Sequence, residues 1–238
     1  MIRDFAIGIF LGLVVTQVAV FATTVYLHRA LAHRSLRLHP VATAVCRVTI
    51  WLTTGLRPRE WVAVHRRHHA HTDEAGDPHS PAVLGFWRVM LANPALYRRV
   101  ARDAPTVRRH ARDMPADRWD RVLFDRSFLG LAIGIAALVA LFGWQIAVVA
   151  ATVHTVTYLG LGGAVNALGH TWGRRPHANS GTNGGLLALF TAGEGLHNNH
   201  HEAPTSARFA RFRGELDPGW WLVRLLTVTR LATTRRSS

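Results

Sequence analysis

Histidines recur in this chain at spacings that place side chains on shared faces of helices. Residues three and four apart lie on the same side of an α-helix, so the histidines within each HxxHH run should converge. An asparagine followed by a histidine four residues later forms a third group, and two histidines five residues apart form a fourth. The groups are His28 with His33; His65, His68 and His69; Asn166 with His170; and His197, His200 and His201.

The pair His28 and His33 differs from the other groups in its spacing. Five residues correspond to about 140° around an α-helix, so the two side chains would not share a face. We therefore expect His33 to lie where the helix ends and the chain turns back. His39, His110, His154 and His177 stand apart from these groups, and we assign them no role.

The donor types favour iron over zinc. Neutral imidazoles bind iron, zinc and copper, and nine clustered histidines are too many for one tetrahedral zinc ion. Cys46 is the only cysteine, which excludes a disulfide framework and a thiolate-bound cluster. A zinc hydrolase with an HExxH helix needs glutamate after the first histidine, where this chain has Arg66. Two iron ions and oxygen activation fit better, although spacing alone leaves desaturation and hydroxylation both open.

Composition places this chemistry at a membrane. The 238-residue chain has a formal charge of +14, and all of its non-histidine basic residues are arginine. Such a charge suits either a nucleic-acid binder or a membrane protein with a basic face. Residues 5–27 and 127–173 contain no Asp, Glu, Lys or Arg, and a soluble nucleic-acid-binding domain has no use for such stretches. We therefore expect membrane lipid, and no nucleic acid, as a partner.

The apolar segments predict an all-α membrane protein forming a single domain over 1–238. Segment 5–27 would be about 35 Å long as a helix, enough to span a hydrocarbon core of ~30 Å. Segment 127–173 is about twice that thickness and predicts a hairpin turning near Gly143, with spans near 127–145 and 146–168. Segment 41–56 is short, at about 24 Å, and contains Arg47. We expect 41–56 and the Trp-containing segment 217–232 to lie in the interface.

The arginines also predict the orientation. They follow the first span and fill 57–126, and arginine-rich loops face the cytoplasm. With about three transmembrane helices and 41–56 not crossing, every histidine group lies on one side. We therefore predict a histidine-rich cytoplasmic cap over a di-metal site in the cell (inner) membrane.

Longer strings around the histidines carry a family resemblance. They are HRALAH at 28–33, HRRHHAHTDEAGDPHSP at 65–81, NALGHTWGRRP at 166–176 and GEGLHNNHHEAPTSAR at 193–208. Together they resemble the integral-membrane fatty acid desaturases, specifically the stearoyl-CoA (delta-9) type in its short bacterial form, over roughly residues 20 to 225.

The resemblance implies a set of site residues. Two iron ions would be held by nine histidines, while Asn166 would hold a metal-bound water. Three carboxylates near the histidine groups are candidates for orienting the ligands: Asp73, Asp77 and Glu194. The implied ligands are His28, His33, His65, His68, His69, His170, His197, His200 and His201.

The resemblance also implies an activity. The expected reaction uses O2 and electrons to introduce a cis double bond, at the delta-9 position, into a fatty acyl chain carried as acyl-CoA or acyl-lipid. Electrons would come from a separate ferredoxin or flavin reductase, because no haem-binding domain is fused. The alternatives are a fatty acyl or alkyl hydroxylase of the same histidine-rich group and a non-catalytic lipid or metal binder. The complete ligand set argues against the second.

Two features depart from the family pattern. Only one span precedes the first histidine group, where the family usually has a pair. Leu196 occupies a position that is commonly aromatic in the family, and this difference is expected to alter the acyl channel.

Overall fold

The computed structural model describes residues 1–235, so residues 236–238 of the predicted domain lie outside the described residues. The described chain is mostly helical, as predicted. Its α-helices are α1 (Ile2–Ala22), α2 (Pro40–Thr53), α3 (Pro58–Ala70), α4 (Pro81–Leu84), α5 (Phe86–Ala101), α6 (Ala104–His110), α7 (Ser127–Phe142), α8 (Trp144–Thr171), α9 (Gly185–Phe190), α10 (His197–Glu202) and α11 (Pro218–Val228). Two π-helical segments, Thr23–Ala32 and Asp120–Phe124, and two strands, β1 (Leu36–Leu38) and β2 (Ala232–Thr234), complete the described elements.

Two helices are long and apolar enough to cross a membrane. Helix α1 and the π-helical segment that follows it form one run of 31 residues, and α8 has 28 residues. About 20 residues suffice to span the hydrocarbon core, so both helices are longer than a membrane crossing requires. Gly8 and Gly12 of α1 lie directly against Val149 and Val153 of α8, leaving no room for a side chain. Small residues at such contacts let membrane helices approach closely.

Helix α7 forms a hairpin with α8 at the predicted place. Helix α7 ends at Phe142 and α8 begins at Trp144, while Gly143 between them has a φ of 81°. Glycine adopts this left-handed region without the steric penalty of a Cβ atom. Helix α7 has 16 residues, or about 24 Å, so a complete crossing over 127–145 stays a prediction.

Helix α2 has the features of an interfacial helix. It presents Val41, Val45 and Val48 to the outside, with exposures of 58%, 61% and 40%, and these residues share one face at a spacing of three and four. Its other side packs on α7, where the carbonyl groups of Trp51 and Leu52 closely approach Gly130 and Gly134.

The C-terminal part of the chain differs from the sequence prediction. The segment 217–232, which we expected to lie in the interface as one unit, is helical only as far as Val228, and Ala232–Thr234 pairs antiparallel with Leu36–Leu38. A buried cluster that includes Val25, Leu36 and Val223 lies beneath this small sheet. The sheet thus ties the end of the first spanning helix to the C-terminal segment.

Candidate metal centre

The histidines of all four sequence groups meet at one end of the helices, in two sets. In each set the candidate ligand atoms lie within 4.8 Å of one another. The first set is His28, His33, His65, His69 and His200, and the second is His68, His170, His197 and His201. All nine predicted ligands are thereby brought together.

A π-helix explains how His28 and His33 come to share the first set. The amide of His33 donates to the carbonyl of His28 at 3.1 Å, which is the i→i+5 bond of a π-helix. This wider turn places residues five apart close to one another, and the two imidazole rings are 4.8 Å apart. The expectation of a helix end at His33 is met, since Arg34 follows with a φ of 52°. The 140° separation expected for an α-helix does not apply.

Each HxxHH run divides between the two sets. Helix α3 contributes His65 and His69 to the first set and His68 to the second, because residue 68 lies on a neighbouring part of the helix surface. Helix α10 contributes His200 to the first set and His197 and His201 to the second. Its His200 Nε2 lies 2.9 Å from His69 Nε2, and its His201 Nε2 lies 3.3 Å from His68 Nε2. The two short helices therefore lie against both candidate metal positions.

Three carboxylates contact the outer nitrogens of three histidines. His28 Nδ1 is 2.6 Å from Glu194, and His68 Nδ1 is 2.9 Å from Asp77. His170 Nδ1 is 2.7 Å from Asp73. An ionised carboxylate only accepts hydrogen bonds, so each Nδ1 carries a proton and donates it to the carboxylate, and each Nε2 is the nitrogen that faces the centre.

The loop after α3 places two of these carboxylates. Asp73 adopts a φ of 58° and Gly76 a φ of 110°, which turns the chain back towards α3. Asp77 Oδ2 accepts from the amide of Asp73 at 2.9 Å, and Asp73 Oδ1 accepts from Ser80 Oγ at 2.6 Å. Hydrogen bonds within the loop thus hold both carboxylates in place independently of a bound metal.

Burial and neighbouring charges set the protonation states. Burial lowers the pKa of the imidazoles of His33, His65, His69, His197, His200 and His201 well below the usual value. Burial alone would raise the pKa of Asp73, Asp77 and Glu194, but the facing histidines outweigh it and the pKa of each carboxyl is lowered. At neutral pH these six imidazoles are therefore neutral and the three carboxyl groups are ionised.

This arrangement fits a pair of bound cations. Nε2 of His28 lies 3.1 Å from Nε2 of His200, and a positive ion held between two ring nitrogens would be bound by their lone pairs. Nε2 of His170 is buried and has no hydrogen-bond partner among the described residues. A buried nitrogen without a partner is costly, and metal coordination would satisfy it. An all-imidazole donor set suits several metal ions, among them iron, zinc, copper and nickel.

A buried arginine beneath the first set was not predicted from the sequence. Arg29 is completely buried and donates from Nη2 to Asp217 at 2.8 Å and from Nε to the carbonyl of Ala207 at 2.9 Å. Its Nη1 lies 3.6 Å from Glu194, the carboxylate that contacts His28. Its guanidinium stacks on Phe209, 3.8 Å from the ring centroid. Arg29 thus joins two buried carboxylates to the metal centre.

Arg66 has a structural role next to the site. It donates to the carbonyl groups of Leu31 and Ala32 at 2.8 and 2.9 Å, and to Asp113 at 2.6 Å. These bonds satisfy carbonyl groups at the end of the first spanning helix, which lack partners within the helix. Arg66 stands where a zinc hydrolase carries its catalytic glutamate. Here its hydrogen bonds connect α3 to the end of the first spanning helix, and both of these elements carry histidines of the site.

Asn166 lines a large cavity beside the second set. Its amide donates to Asn93 Oδ1 at 2.9 Å, and it lies one turn before His170 on α8. The cavity has a volume of about 540 Å³. Metal-site residues line it together with apolar side chains such as Leu131 and Leu159 and with the arginines Arg57, Arg98 and Arg102.

Two further histidines lie near the centre. His79 is buried, its ring lies 4.7 Å from that of His68, and burial lowers its pKa to about 3. Its spacing in the sequence gave no reason to place it there. His71 caps α3 and is exposed.

The structure thus combines two apolar helices of membrane-crossing length with nine converging histidines, which are features of a membrane protein with a candidate dinuclear metal site. Comparison with known proteins gives the family. Residues 5–213 match the model of the family described as "Fatty acid desaturase". The chain belongs to this family, as the sequence motifs predicted, and it is therefore an oxidoreductase.

Several curated desaturases are similar over most of the chain. "Acyl-CoA C20 Delta5-desaturase" of Anemone leveillei is 35% identical over 227 residues, covering 90% of this chain and 69% of that protein. "Delta-9 acyl-lipid desaturase 1" of Arabidopsis thaliana is 32% identical, covering 93% and 73%. "sn-2 palmitoyl-lipid 9-desaturase" of Nostoc sp. (strain 36) is 34% identical, covering 86% and 73%. These relatives support fatty acid desaturation as the reaction class.

Proposed function

We propose that this protein is a di-iron desaturase that uses O2 to introduce a cis double bond at the delta-9 position of a fatty acyl chain. The observation that carries this proposal is the division of nine histidines into sets of five and four whose ring nitrogens face inward. We assign one iron ion to each set. Asn166 completes the smaller set by holding a metal-bound water.

The protein's own contribution is to prepare the ligands. Asp73, Asp77 and Glu194 fix the proton on the outer nitrogen of one histidine each, which orients the ring and increases its basicity. Because burial keeps the other imidazoles neutral, their lone pairs are free for coordination near neutral pH. Bound iron would supply the oxidising chemistry: O2, two electrons and two protons convert two adjacent methylene groups into a double bond and two water molecules.

The 540 Å³ cavity is the proposed acyl site. Its volume falls in the range of ~300–1,000 Å³ typical of small-molecule sites. His28, His65, His68 and His197 belong to its wall, so a chain bound there would pass the metal centre. Holding two neighbouring carbons against the metals would provide the positional selectivity.

The charge of the cavity wall and the relatives' names support coenzyme A or a phospholipid as the acyl carrier. Arg57, Arg98 and Arg102 line the cavity, and guanidinium groups suit the phosphates of coenzyme A or a phospholipid. Relatives are named for both acyl-CoA and acyl-lipid substrates. A separate ferredoxin or flavin reductase would deliver electrons. The arginine-rich side that carries the histidines would face the cytoplasm from the inner membrane.

Product analysis tests the proposal. The protein is produced in membranes with a ferredoxin and its reductase, and fatty acid methyl esters are separated by gas chromatography and mass spectrometry. We expect a delta-9 monounsaturated product that requires O2 and disappears in His68→Ala and His200→Ala. His110→Ala, which alters a histidine outside both sets, is the matched control and should keep activity.

The alternative outcomes are distinct. A hydroxylated product would show that the protein catalyses hydroxylation and not desaturation. A double bond at another position would refute only the delta-9 assignment. Activity retained in both His68→Ala and His200→Ala would refute the assigned metal centre.

A further inference from the structure

A second cavity lies apart from the metal centre, at the end of the first spanning helix. It has a volume of about 580 Å³ and lies between that helix end, the start of α2 and the two-stranded sheet. None of the nine metal-site histidines lines it. We call this cavity the arginine groove, after the residues Arg34, Arg37 and Arg235 in its wall.

The charge of the groove is entirely positive along its described wall. Three guanidinium groups line it, and no described Asp or Glu does. Arg34 is paired with Asp113, whereas Arg37 has no side-chain hydrogen bond or ion pair to the described residues. Strand register sets Arg37 opposite Thr233, and Thr43 of α2 and Thr234 of β2 add two more hydroxyl groups. Guanidinium and hydroxyl donors together match the oxygen atoms of a phosphate group.

The floor of the groove is apolar. The partly exposed side chains of Leu31 and Leu38 contribute to it alongside the arginines, so a ligand that fills the groove should carry apolar as well as anionic parts. A free phosphate ion would contact the arginines but leave the exposed parts of Leu31 and Leu38 in water. A ligand with an apolar part would cover this surface, and burying apolar surface is favourable.

The groove also lies next to a lipid-facing surface. Helix α2, which lines the groove through Thr43, exposes Val41, Val45 and Val48 along one face. An interfacial helix with this pattern lies at the level of lipid headgroups. Phosphate groups attached to apolar chains are concentrated at that level.

We propose that the arginine groove binds the headgroup phosphate of an anionic phospholipid, with the first part of its acyl or glycerol region over Leu31 and Leu38. The bound lipid links the end of the first spanning helix, α2 and the sheet to the membrane surface. This site is separate from the proposed acyl cavity and involves no metal.

Native mass spectrometry of the purified full chain in neutral detergent tests the proposal. Dioleoylphosphatidylglycerol is added to one sample and dioleoylphosphatidylcholine to another, and the lipid retained by the protein is counted. We expect retention of the anionic lipid only, and we expect millimolar inorganic phosphate not to displace it. Removing one groove arginine should weaken retention about fivefold, which is the usual contribution of one basic residue near anionic lipid.

Variants separate a local site from the general positive charge. Arg37→Gln with Arg235→Gln should lower phosphatidylglycerol retention by about 25-fold, and the corresponding lysine pair should restore most of it. Arg99→Gln, an exposed arginine of α5 outside the groove, should retain lipid like the unchanged protein. Melting temperatures of all variants establish that each is folded, and Arg37 lies on the surface, so its replacement removes no core contact.

Three results would overturn the proposal. They are equal retention of the two lipids, unchanged retention in the glutamine pair, and displacement of the lipid by inorganic phosphate. The last result would identify a site for soluble phosphate compounds instead.

Discussion

The buried Arg29 offers the sharpest test of how the protein supports its metal centre. Arg29→Met removes a completely buried cation and leaves Asp217 and Glu194 without their shared partner. Asp217 is 1% exposed and Glu194 is 14% exposed, so water replaces the lost charge poorly. Removing one member of a buried ion pair costs about 3–5 kcal/mol. At about 2–4 °C per kcal/mol for a chain of this size, the melting temperature should fall by about 6–20 °C.

Arg29→Met should also weaken metal binding through Glu194. The guanidinium of Arg29 lowers the pKa of Glu194 and lies 3.6 Å from it, so without it the Glu194 carboxyl group is more readily protonated and less firmly positioned, and it orients the His28 ring less well. Loss of such an outer contact typically lowers metal affinity about 10- to 100-fold. Two assays report the two effects: thermal unfolding of the detergent-solubilised protein after chelation, and the iron retained against increasing chelator.

A matched substitution controls for the loss of one positive charge. Arg211 is exposed and its side chain makes no hydrogen bond to a described residue, so Arg211→Met should melt and bind iron as the unchanged protein does. Arg29→Lys keeps the charge but loses the stacking on Phe209 and should lie between the two. If Arg29→Met matched Arg211→Met in both assays, the reasoning from the buried network would be wrong.

Three further predictions test the carboxylates, the imidazoles and the helix packing. Asp73→Asn and Asp77→Asn should each weaken iron retention about 10- to 100-fold, whereas Glu74→Gln, an exposed neighbour, should not. The metal-free protein should lose stability as the pH falls below about 6.5. Folding lowers the histidine pKa values, so the unfolded chain binds more protons than the folded protein in this range. A melting temperature that is flat between pH 7.5 and 5.5 would contradict this. In Gly163→Val on α8, the new side chain would overlap the Met90 carbonyl and should destabilise the protein by about 1–3 kcal/mol. Gly160 faces open space, so the melting temperature of Gly160→Val should be almost unchanged.

Much of the site could be predicted from the sequence because its ligands occur in local patterns. Histidine spacings of three and four mark a helix face regardless of the rest of the fold. Asp73, Asp77 and Glu194 lie within a few residues of the histidine groups, so proximity in sequence identified them as candidates. The apolar runs likewise predicted the helical class and the hairpin turn at Gly143.

The parts that could not be predicted depend on contacts between distant segments. Arg29 and Asp217 are 188 residues apart, and neither has a pattern that indicates its partner. Asp217 precedes a proline, which on its own indicates only a helix start. The pairing of β2 with β1 is equally non-local, because three-residue strands carry too little periodicity to identify. The π-helix that joins His28 and His33 has no sequence signature among the patterns used for α-helices.

The most direct test of the central claim is the metal content of the purified protein. Iron per chain is measured by inductively coupled plasma mass spectrometry after expression with iron and anaerobic purification, alongside zinc and copper. The two inward-facing histidine sets predict two iron ions per chain, with the ratio reduced in His200→Ala and in His68→Ala, one from each set, and unchanged in His110→Ala. A ratio of one or less in an active preparation, or two iron ions retained by both His68→Ala and His200→Ala, would contradict the assignment of a di-iron centre to these residues.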